Sequence, residues 1–558
     1  MDRQKKLKSK VLVFAILILA FVLRFWKLGE YPALNADEAA IGYNAYSLIQ
    51  TGGDEHGNDW PIHFQSFNDY KPGLYFYMVL PFVRFVGLNE WGVRIPGAFL
   101  GVATVYLVYL LVKELFKEKS LSFDTNHLAL IASFMLAISP WHIHFSRGGW
   151  EVNVATFFIV LALWLFFKGF NNIVFLFLSS ISFILSMYAY HAARMVVPFI
   201  GLGLVTVYWT EVKKIYKRIL LAGLVGFVAL LPLISDFTNS DVGSRAAGVG
   251  LFADTGPIER INEQRGEHID FQGVIPRVLH NKVINYALAF LDNWTDHYNG
   301  NFLFISGDVI QRNKVPETGQ MYLFDLFLLA VGVIGIVGIF RDKSDHKRVW
   351  VLILGWLIVA PSAAALTFQS PHALRAQNMV VPITIISAYG LAKTLSWLQT
   401  QKKYIFTVVL ASLIIIVAWN VTRYLHMYWV HMAKEYPFSS QYGVKELVSY
   451  ISENSNEFEK VIVSDRYDQP YILFLFYLKY SPIKFQPDHV LTPRDTYGFS
   501  TVGKFDKFVF KKIDWDNDKL IYPRSLIVGT DEEIPDEANI IKEVYGTNDY
   551  KYFQVVAN

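Results

Sequence analysis

Acidic residues that could act on a hydroxyl group stand in two short motifs near the start of the chain. The first covers residues 35–39, with the sequence NADEA, and the second covers residues 69–72, with the sequence DYKP. A carboxylate such as that of Asp37 or Glu38 can take the proton of a hydroxyl nucleophile, and the ammonium of Lys71 can bind a phosphate. In a simpler interpretation, Asp37 caps a helix with Glu38 in its first turn, and Lys71 is an interfacial anchor.

Histidine and arginine occur together in three further segments. These are residues 140–151 (PWHIHFSRGGWE), 188–194 (YAYHAAR) and 369–378 (QSPHALRAQN). A lone arginine beside a membrane is usually an anchor. Three such segments on one predicted face, opposite two acidic motifs, instead suit a phosphorylated lipid and a hydroxyl acceptor. His142 and His144 could suggest a metal, although a spacing of two residues on a turn is weak evidence for one.

The composition indicates which elements must position these residues. Of 558 residues, 53% are hydrophobic, 16% are aromatic and only 18% are charged, against about 25% charged residues in soluble proteins. This balance, with a mean hydropathy of +0.30, predicts a membrane protein and argues against a cytosolic enzyme or a disordered chain. The net charge of +3 gives no sign of a nucleic-acid partner. The absence of cysteine excludes disulfides, thiolate metal sites and cysteine nucleophiles.

Apolar segments of near-spanning length predict about eleven transmembrane helices, the first of them uncleaved. Basic clusters fall on the side of the N-terminus when these helices alternate, so the positive-inside rule places the N-terminus in the cytoplasm. The run at residues 73–88 is short and holds Pro81 and Arg84, which predicts an interfacial or re-entrant helix on the outer side. The predicted spans are residues 11–23, 93–115, 127–145, 151–168, 173–190, 194–210, 218–235, 321–340, 349–367, 379–397 and 404–422.

The predicted fold class is a mostly α, polytopic membrane protein with outer interfacial helices and a small α/β C-terminal domain. Residues 1–423 form the predicted transmembrane domain, with long outer loops at about 29–92 and 236–320. Residues 424–558 form the predicted soluble α/β domain, because an amphipathic helix near 444–451 is followed by strand-like runs. Eleven alternating helices from a cytoplasmic N-terminus place this domain on the extracytoplasmic side. The chain shows no internal repeat, P-loop or dinucleotide-binding glycine pattern.

With these motifs in place, the chain resembles membrane glycosyltransferases of the GT-C fold. It is similar to the bacterial relatives of protein O-mannosyltransferases and lipid A aminoarabinose transferases, of the family 39 type, which use polyprenyl-phosphate sugars. Besides the motifs above, residues 89–96 (NEWGVRIP) and the stretch 293–308 are similar to family loops, and the resemblance extends over about residues 10–420. The chain departs from the protein O-mannosyltransferase pattern, in which a β-trefoil domain is inserted in the long loop.

The resemblance implies an integral-membrane enzyme that transfers a monosaccharide from a polyprenyl-phosphate donor to a hydroxyl acceptor on the outer face, with inversion. It implies that Asp37 is the general base, with Glu38 as second choice, and that Asp69 orients the acceptor or supports the site. It implies no metal-ligand residues and no firm cofactor. Whether the reaction requires a divalent cation stays open. The implied ligands of the donor phosphate are Lys71, Arg147, Arg194 and Arg375, and the implied substrate contacts are Tyr43, Tyr70, His191, His297 and His372.

Three other functions fit part of the pattern. A lipid-linked glycan polymerase or ligase would also use a polyprenyl donor, but it would depend mainly on outer arginines. A secondary transporter would show inverted repeats and ionisable residues at the bilayer midplane, and a non-catalytic scaffold would not need Asp37. The expected partners are the lipid bilayer, the donor and the acceptor. The sequence leaves the sugar open, and also whether the acceptor is a protein, a lipid or a cell-envelope glycan.

Overall fold

The computed structural model describes residues 2–67, 69–117, 124–239, 250–341, 346–494 and 500–558. These residues form two compact units, each built from segments that are far apart in the sequence. The helical unit comprises Met1–Arg24, Phe99–Ser146 and Glu151–Leu425. The mixed unit comprises Phe25–Ala98, Arg147–Trp150 and His426–Asn558.

Helices form most of the described structure. In chain order the α-helices are α1 (Asp2–Phe25), α2 (Ala36–Thr51), α3 (Leu74–Val86), α4 (Glu90–Leu115), α5 (Thr125–Ile138), α6 (Pro140–Ser146), α7 (Glu151–Gly169), α8 (Ile173–Ala189), α9 (His191–Val207), α10 (Trp209–Val212), α11 (Tyr216–Asn239), α12 (Gly256–Gly266), α13 (Val274–Leu279), α14 (Lys282–Asp296), α15 (Leu323–Arg341), α16 (Lys347–Val359), α17 (Ser362–Ala365), α18 (Val380–Leu398), α19 (Lys403–His426), α20 (Met432–Glu435), α21 (Val444–Asn454), α22 (Pro470–Tyr477), α23 (Pro482–Asp488) and α24 (Trp515–Ile521). Short 3₁₀ turns lie at Lys213–Ile215, Leu251–Ala253, Gln311–Asn313, Gln377–Met379 and Phe438–Ser440, and π-helical turns lie at Asn301–Ile305 and Met427–His431.

Within the described residues, seven helical segments are long and apolar enough to cross a membrane, or eight if the bent pair α5 and α6 is one span. The predicted apolar segments coincide with helices, but α1 is not among the seven, and α8 and α9 have only 17 residues each, about the shortest length that spans a bilayer. The chain is therefore a multi-pass membrane protein, and the count of eleven spans stays a prediction. The seven segments are Glu90–Leu115, Glu151–Gly169, Trp209–Phe237, Leu323–Arg341, Lys347–Ala365, Gln377–Leu398 and Lys403–Glu435.

The short apolar run around Pro81 forms helix α3 of the mixed unit. This helix has 13 residues, and Pro81 lies inside it. At 1.5 Å per residue it extends about 20 Å, less than the roughly 30 Å of hydrocarbon in a bilayer. Its length supports the predicted interfacial helix, while its depth in the membrane stays a prediction.

A seven-stranded sheet lies in the C-terminal part of the mixed unit, as the predicted α/β domain requires. Among the described residues the strand order is β4-β5-β6-β3-β7-β9-β8, and β3 is parallel to both of its neighbours. The apolar residues of β3 are buried, which is typical of a strand covered on both faces. The strands of the chain are β1 (His63–Ser66), β2 (Asp69–Pro72), β3 (Lys460–Ser464), β4 (Val490–Leu491), β5 (Val502–Phe505), β6 (Phe508–Lys511), β7 (Ser525–Gly529), β8 (Ile540–Tyr545) and β9 (Lys551–Ala557).

Helix α2 and the β1–β2 hairpin carry the two acidic motifs. Helix α2 packs against both α3 and α22 of the same unit. A Cβ atom at Gly42 would lie 2.6 Å from the ring of Phe476 and 2.7 Å from a methyl group of Val93, so the approach requires glycine. The hairpin strands are antiparallel, with Ser66 opposite Asp69 and Phe64 opposite Lys71. The motifs therefore stand on two elements fixed by packing and by backbone hydrogen bonds.

Candidate functional site

The first turn of α2 positions the acidic motif. Asn35 is the residue that caps the helix, because its side-chain oxygen accepts a hydrogen bond from the backbone N–H of Glu38 at 3.0 Å. The carboxylate of Glu38 accepts in return from the backbone N–H of Asn35 at 3.4 Å, which completes a capping box. The simpler interpretation that made Asp37 the cap is therefore wrong, because the helix begins at Ala36 and Asn35 satisfies its first turn.

Asp37 instead pairs with a cation from the hairpin. The Nζ atom of Lys71 contacts Oδ1 of Asp37, and the side chain of Lys71 is 8% exposed while that of Asp37 is 25% exposed. The same ammonium lies 4.5 Å from the ring centroid of Phe67. Burial of an ammonium is costly unless an anion pairs with it. The hairpin and α2 therefore hold a nearly buried cation against a carboxylate that solvent can still reach.

Glu38 points to a different partner, since adjacent helix residues do not face the same way. Its two carboxylate oxygens accept hydrogen bonds from Nε and Nη2 of Arg94 at 2.6 and 2.7 Å. Arg94 also donates to the backbone carbonyls of Leu28, Pro32 and Ala33 at 2.9 to 3.2 Å. Both side chains are buried, at 1% and 0% exposure. This bidentate pair ties the loop before α2 to the start of α4.

A third segment of the chain joins the same pair. The backbone N–H of Gly149 donates to Oε1 of Glu38 at 2.9 Å. Two residues earlier, Arg147 donates to the backbone carbonyls of Trp26 at 2.8 Å and Tyr31 at 3.2 Å, and its guanidinium lies 4.7 Å from the ring centroid of Trp429. The predicted arginine is thus in the mixed unit with Asp37 and Lys71, but it is buried among carbonyls and aromatic rings.

Two tyrosines and one acid of the predicted site lie in the same unit. Tyr43 is buried, and its hydroxyl donates to the carbonyl of Tyr480 at 3.1 Å, so its packing favours a structural role. Burial and the nearby Glu55 carboxylate raise the pKa of Tyr43 above its ordinary value. Tyr70 is half-buried on β2 opposite Gln65. The backbone of Asp69 lies in β2, but its side chain lies outside the described part of the chain.

Arg194, Arg375, His191, His297 and His372 lie in the helical unit. Arg194 donates to the carbonyl of Met187 at 3.0 Å, bonds Nδ1 of His191 at 2.9 Å and lies 4.8 Å from the ring centroid of Phe237. These contacts bring together the two predicted residues of the segment 188–194. Arg375 donates to the hydroxyl of Thr367 at 2.6 Å.

His297 and His372 form a buried link in the helical unit. Nδ1 of His297 lies 2.8 Å from the carbonyl of Asn293, and Nε2 accepts from the backbone N–H of His372 at 3.0 Å. The carbonyl can only accept, so the proton sits on Nδ1 and the ring is neutral. Burial lowers the pKa of His297 to about 4. This geometry favours a structural role for His297.

Asp308 reinforces that link. Its carboxylate accepts from the backbone N–H groups of Ile310 at 2.8 Å and Ala373 at 2.5 Å, and from the side chain of Asn313 at 3.1 Å. Nδ1 of His372 lies 3.8 Å from the same carboxylate. Burial raises the pKa of Asp308 against the opposing effect of these hydrogen bonds.

Within the described ranges, no group of three His, Asp or Glu residues is placed to hold a metal ion. Nδ1 of His142 lies 2.7 Å from a guanidinium nitrogen of Arg24. Nε2 of His144 lies 2.9 Å from the carbonyl of Arg312. The two histidines that suggested a metal therefore have separate protein partners.

Arg94 and Asp308 are residues to which the sequence alone assigned no role. Arg94 lies in the family-like motif at residues 89–96. An arginine one turn inside an apolar helix is a signal that could have identified it as a paired, buried charge. Asp308 closes the stretch at residues 293–308, and its signal was an isolated acid at the end of a family-like loop. Both are fully buried, and buried charges of this kind are usually paired.

Part of the chain matches known sequences. Residues 14–189 match the family described as dolichyl-phosphate-mannose-protein mannosyltransferase. The Bacillus subtilis (strain 168) protein named "Putative mannosyltransferase YkcB" is 36% identical over 83 residues, which cover 15% of this chain and 10% of that protein. An uncharacterized protein of Aquifex aeolicus (strain VF5) is 28% identical over 157 residues, which cover 28% of this chain and 29% of that protein. The matched parts thus span less than a third of either relative.

The whole chain is similar to a solved structure. ArnT from Cupriavidus metallidurans, bound to undecaprenyl phosphate, has 13% sequence identity and a TM-score of 0.53, over 98% of this chain and 97% of that chain. Its apo state gives 11% identity and a TM-score of 0.54, over 98% of each chain. At sequence identities this low, the structural similarity shows a shared fold and nothing finer. With the family match in residues 14–189, it confirms the predicted resemblance to the GT-C glycosyltransferases related to family 39.

Proposed function

We propose that this chain is a membrane glycosyltransferase that moves a monosaccharide from a polyprenyl-phosphate donor to a hydroxyl acceptor, with inversion at the anomeric carbon. The observation that carries this function is the ion pair between Asp37 and Lys71, a partly exposed carboxylate beside a nearly buried ammonium. Both residues lie within residues 14–189, the part that matches a mannosyltransferase family. The fold shared with a protein solved with undecaprenyl phosphate is consistent with a lipid phosphate as the sugar carrier.

In this mechanism Asp37 is the general base. Its carboxylate takes the proton of the acceptor hydroxyl while the oxygen attacks the anomeric carbon from the face opposite the phosphate. The bond between that carbon and the phosphate oxygen breaks, and the polyprenyl phosphate leaves with the electron pair. A positioned base contributes typically 10²–10⁴-fold to such a step.

Lys71 binds the phosphate of the donor. Its ammonium contacts the carboxylate of Asp37. A donor phosphate beside the pair supplies a second anion for Lys71, and the ammonium stabilises the charge that develops on the leaving phosphate. The ion pair thus keeps the base and the phosphate ligand adjacent before the donor arrives.

Asp37 is a better base than Glu38 because its carboxylate is partly exposed, whereas the carboxylate of Glu38 is buried and hydrogen-bonded. Both oxygens of Glu38 accept hydrogen bonds from Arg94, and one of them also accepts from Gly149. Glu38 is buried, so no oxygen of its carboxylate is available to an acceptor hydroxyl. We assign Glu38 and Arg94 as positioning residues that fix the first turn of α2.

The other predicted residues keep narrower roles. Arg194 and Arg375 are proposed ligands of the donor phosphate, whereas the buried Arg147 holds its own segment of the mixed unit. Asp69 is proposed to orient the acceptor. Tyr70, His191 and His372 are proposed sugar contacts. By the positive-inside rule, the acidic motifs face the outer side of the membrane and the N-terminus is cytoplasmic.

The proposal is tested with full-length protein in nanodiscs and synthetic polyprenyl phosphates that carry mannose, glucose or aminoarabinose. Radiolabelled sugar is followed into lipid, protein and glycan fractions of membranes, and the product is identified by mass spectrometry. We expect transfer of one monosaccharide with inverted anomeric configuration. The matched control is Asp59→Asn, an exposed aspartate of the same segment, which should transfer normally while Asp37→Asn does not. No transfer from any of the three donors, or equal rates for the two variants, would overturn the proposal.

A further inference from the structure

A cavity of about 680 Å³ lies in the helical unit between α12 and α14. Volumes of 300–1,000 Å³ are typical of sites for small molecules. Asn285 and Asp292 are seven residues apart on α14, so they share the helix face that lines the cavity. The wall combines polar side chains with apolar ones, namely Asp254, Gln264, Asn285 and Asp292 with Leu288 and Phe368.

The polar wall is rich in hydrogen-bond acceptors. Asn285 is only 7% exposed, and its amide nitrogen donates to the carbonyl of Asn281 at 3.3 Å. Its side-chain oxygen has no donor among the residues that the structure describes. Asp292 makes no ion pair within the same described ranges. A ligand that satisfies these groups must therefore supply hydrogen-bond donors, which a hydroxyl or an ammonium does.

The charges and the size of the cavity exclude two kinds of ligand. Asp254 and Asp292 line it, and the only lining cation among the described residues, Arg260, is paired with Glu263 at 2.5 Å. The resulting negative field also acts on Asp296, whose pKa is raised by burial and by the Asp292 carboxylate. An isolated phosphate is repelled by this field. A single ammonium is too small to reach the acceptors of Gln264 on α12 and of Asn285 and Asp292 on α14 at the same time across a cavity of about 680 Å³. A neutral group with several hydroxyls fits both the acceptors and the charge.

The same loop presents an apolar face to its surroundings. Val274 is 77% exposed and Val283 is 79% exposed. Exposed cations, Arg277 and Lys282, stand among the apolar residues. The apolar residues of this face are Val274, Ile275, Val278, Leu279 and Val283.

A lipid surface is the partner that this face fits. An apolar helix face with flanking cations is typical of a segment that lies at the membrane interface, where the cations meet lipid phosphates. The loop is tethered on both sides to helices that can span a membrane, Trp209–Phe237 before it and Leu323–Arg341 after it. A bilayer crossed by these two helices is therefore an apolar phase that can cover the exposed face.

The geometry points to a lipid-headgroup site. The cavity between α12 and α14 binds the polyhydroxylated headgroup of a membrane lipid, such as a glycosyl-diacylglycerol. The acceptors of Asn285 and Asp292 receive hydrogen bonds from its hydroxyls, and its acyl chains stay in the bilayer beside the exposed face of α13. This site does not depend on the proposed transfer reaction.

The test measures which lipids the full-length protein retains. The protein is extracted from vesicles that contain phosphatidylcholine, phosphatidylglycerol and glucosyl-diacylglycerol in equal amounts, and bound lipid is counted by native mass spectrometry. We expect glucosyl-diacylglycerol to be retained over both phospholipids. Asp292→Ala should reduce that retention at least about tenfold, the loss expected for a hydrogen bond to a charged group. Asp270→Ala, at an exposed aspartate of the same loop that does not line the cavity, should leave it unchanged.

Each other result contradicts the site. Retention that is equal for the three lipids, or that favours phosphatidylglycerol, overturns a neutral polyhydroxyl ligand. Retention that Asp270→Ala reduces as much as Asp292→Ala places the lipid elsewhere. A separate titration with free glucose distinguishes the source of the hydroxyls. Free sugar that displaces the bound lipid with millimolar or tighter affinity would show a soluble ligand instead of a lipid.

Discussion

Asp37 and Glu38 are adjacent acids with different partners and different exposure to solvent. Asp37 meets an ammonium from a hairpin and keeps a quarter of its side chain open to solvent, whereas Glu38 is enclosed by a guanidinium and two backbone N–H groups. We therefore assign the proposed chemical role to Asp37 and a structural role to Glu38. Arg94 is as important to this division as either acid, because it holds Glu38 away from the open side.

The buried pair gives a prediction at the residue scale. Arg94→Met leaves Glu38 as an unpaired buried charge, so the protein should lose about 3–5 kcal/mol of stability. The double variant Glu38→Leu/Arg94→Met removes both charges and should recover part of that loss. Thermal unfolding in detergent measures both effects. Arg84→Met, at an exposed arginine of α3, is the matched control, and an equal loss in Arg94→Met and Arg84→Met would contradict the structural role of Arg94.

The neutral ring of His297 gives a prediction of pH dependence. Its folded pKa of about 4 lies below the value of about 6.5 in an unfolded chain. The unfolded state therefore binds the proton more readily, and the contribution of His297 to stability is complete above pH 6.5 and lost as the pH falls toward 4. The difference corresponds to about 3 kcal/mol.

Unfolding of wild type and His297→Gln between pH 4 and 7 measures this contribution. The wild-type curve should fall more steeply with acid, while the variant is less stable at pH 7 and less sensitive to acid. His127→Gln, at an exposed histidine of α5, should keep the wild-type slope. Parallel curves for wild type and His297→Gln would show that the ring is not held neutral.

At the scale of elements, the start of α2 determines where Asp37 points. Asn35→Ala removes the cap and should cost about 1 kcal/mol of unfolding free energy. Asn35→Ser keeps a capping oxygen and should restore most of the stability and the transfer rate. Calorimetry and a transfer assay on the two variants provide the comparison. A loss of activity that is the same in Asn35→Ala and Asn35→Ser would mean that the amide itself, and not the cap, is required.

Local patterns predicted many elements but not the pairs between them. The amphipathic run at residues 444–451 lies in α21, and the apolar strands at 460–464 and 552–556 lie in β3 and β9, since periodicity and β-branched residues are local signals. The hairpin β1–β2 was not predicted, because its strands have only four residues each and little apolar alternation.

The candidate site shows the same limit. The sequence singled out Asp37 and Lys71 by residue type, but the contact between them crosses 34 positions. No local pattern indicates such a contact. Asn35 was not recognised as the cap for another reason, since Asn35 and Asp37 are both good capping residues and only the backbone conformation decides between them.

At the scale of the whole molecule, the absence of cysteine allows a direct test of topology. Glu457 and Lys402 are both exposed, and positive-inside counting places Lys402 in the cytoplasm and the C-terminal segment outside. Glu457→Cys should react with a membrane-impermeant maleimide in intact cells, and Lys402→Cys should react only after permeabilisation. Equal labelling of both variants in intact cells would contradict the predicted orientation.

The most direct test of the central claim separates the chemical step from donor binding. For wild type, Asp37→Asn and Lys71→Ala in nanodiscs, the donor dissociation constant is measured by titration. The single-turnover rate is then measured at saturating donor. If Asp37 takes the proton and Lys71 holds the phosphate, Asp37→Asn slows transfer about 10²–10⁴-fold with little change in donor affinity, and Lys71→Ala weakens donor binding. A saturated rate for Asp37→Asn within a few-fold of wild type would contradict that division of roles.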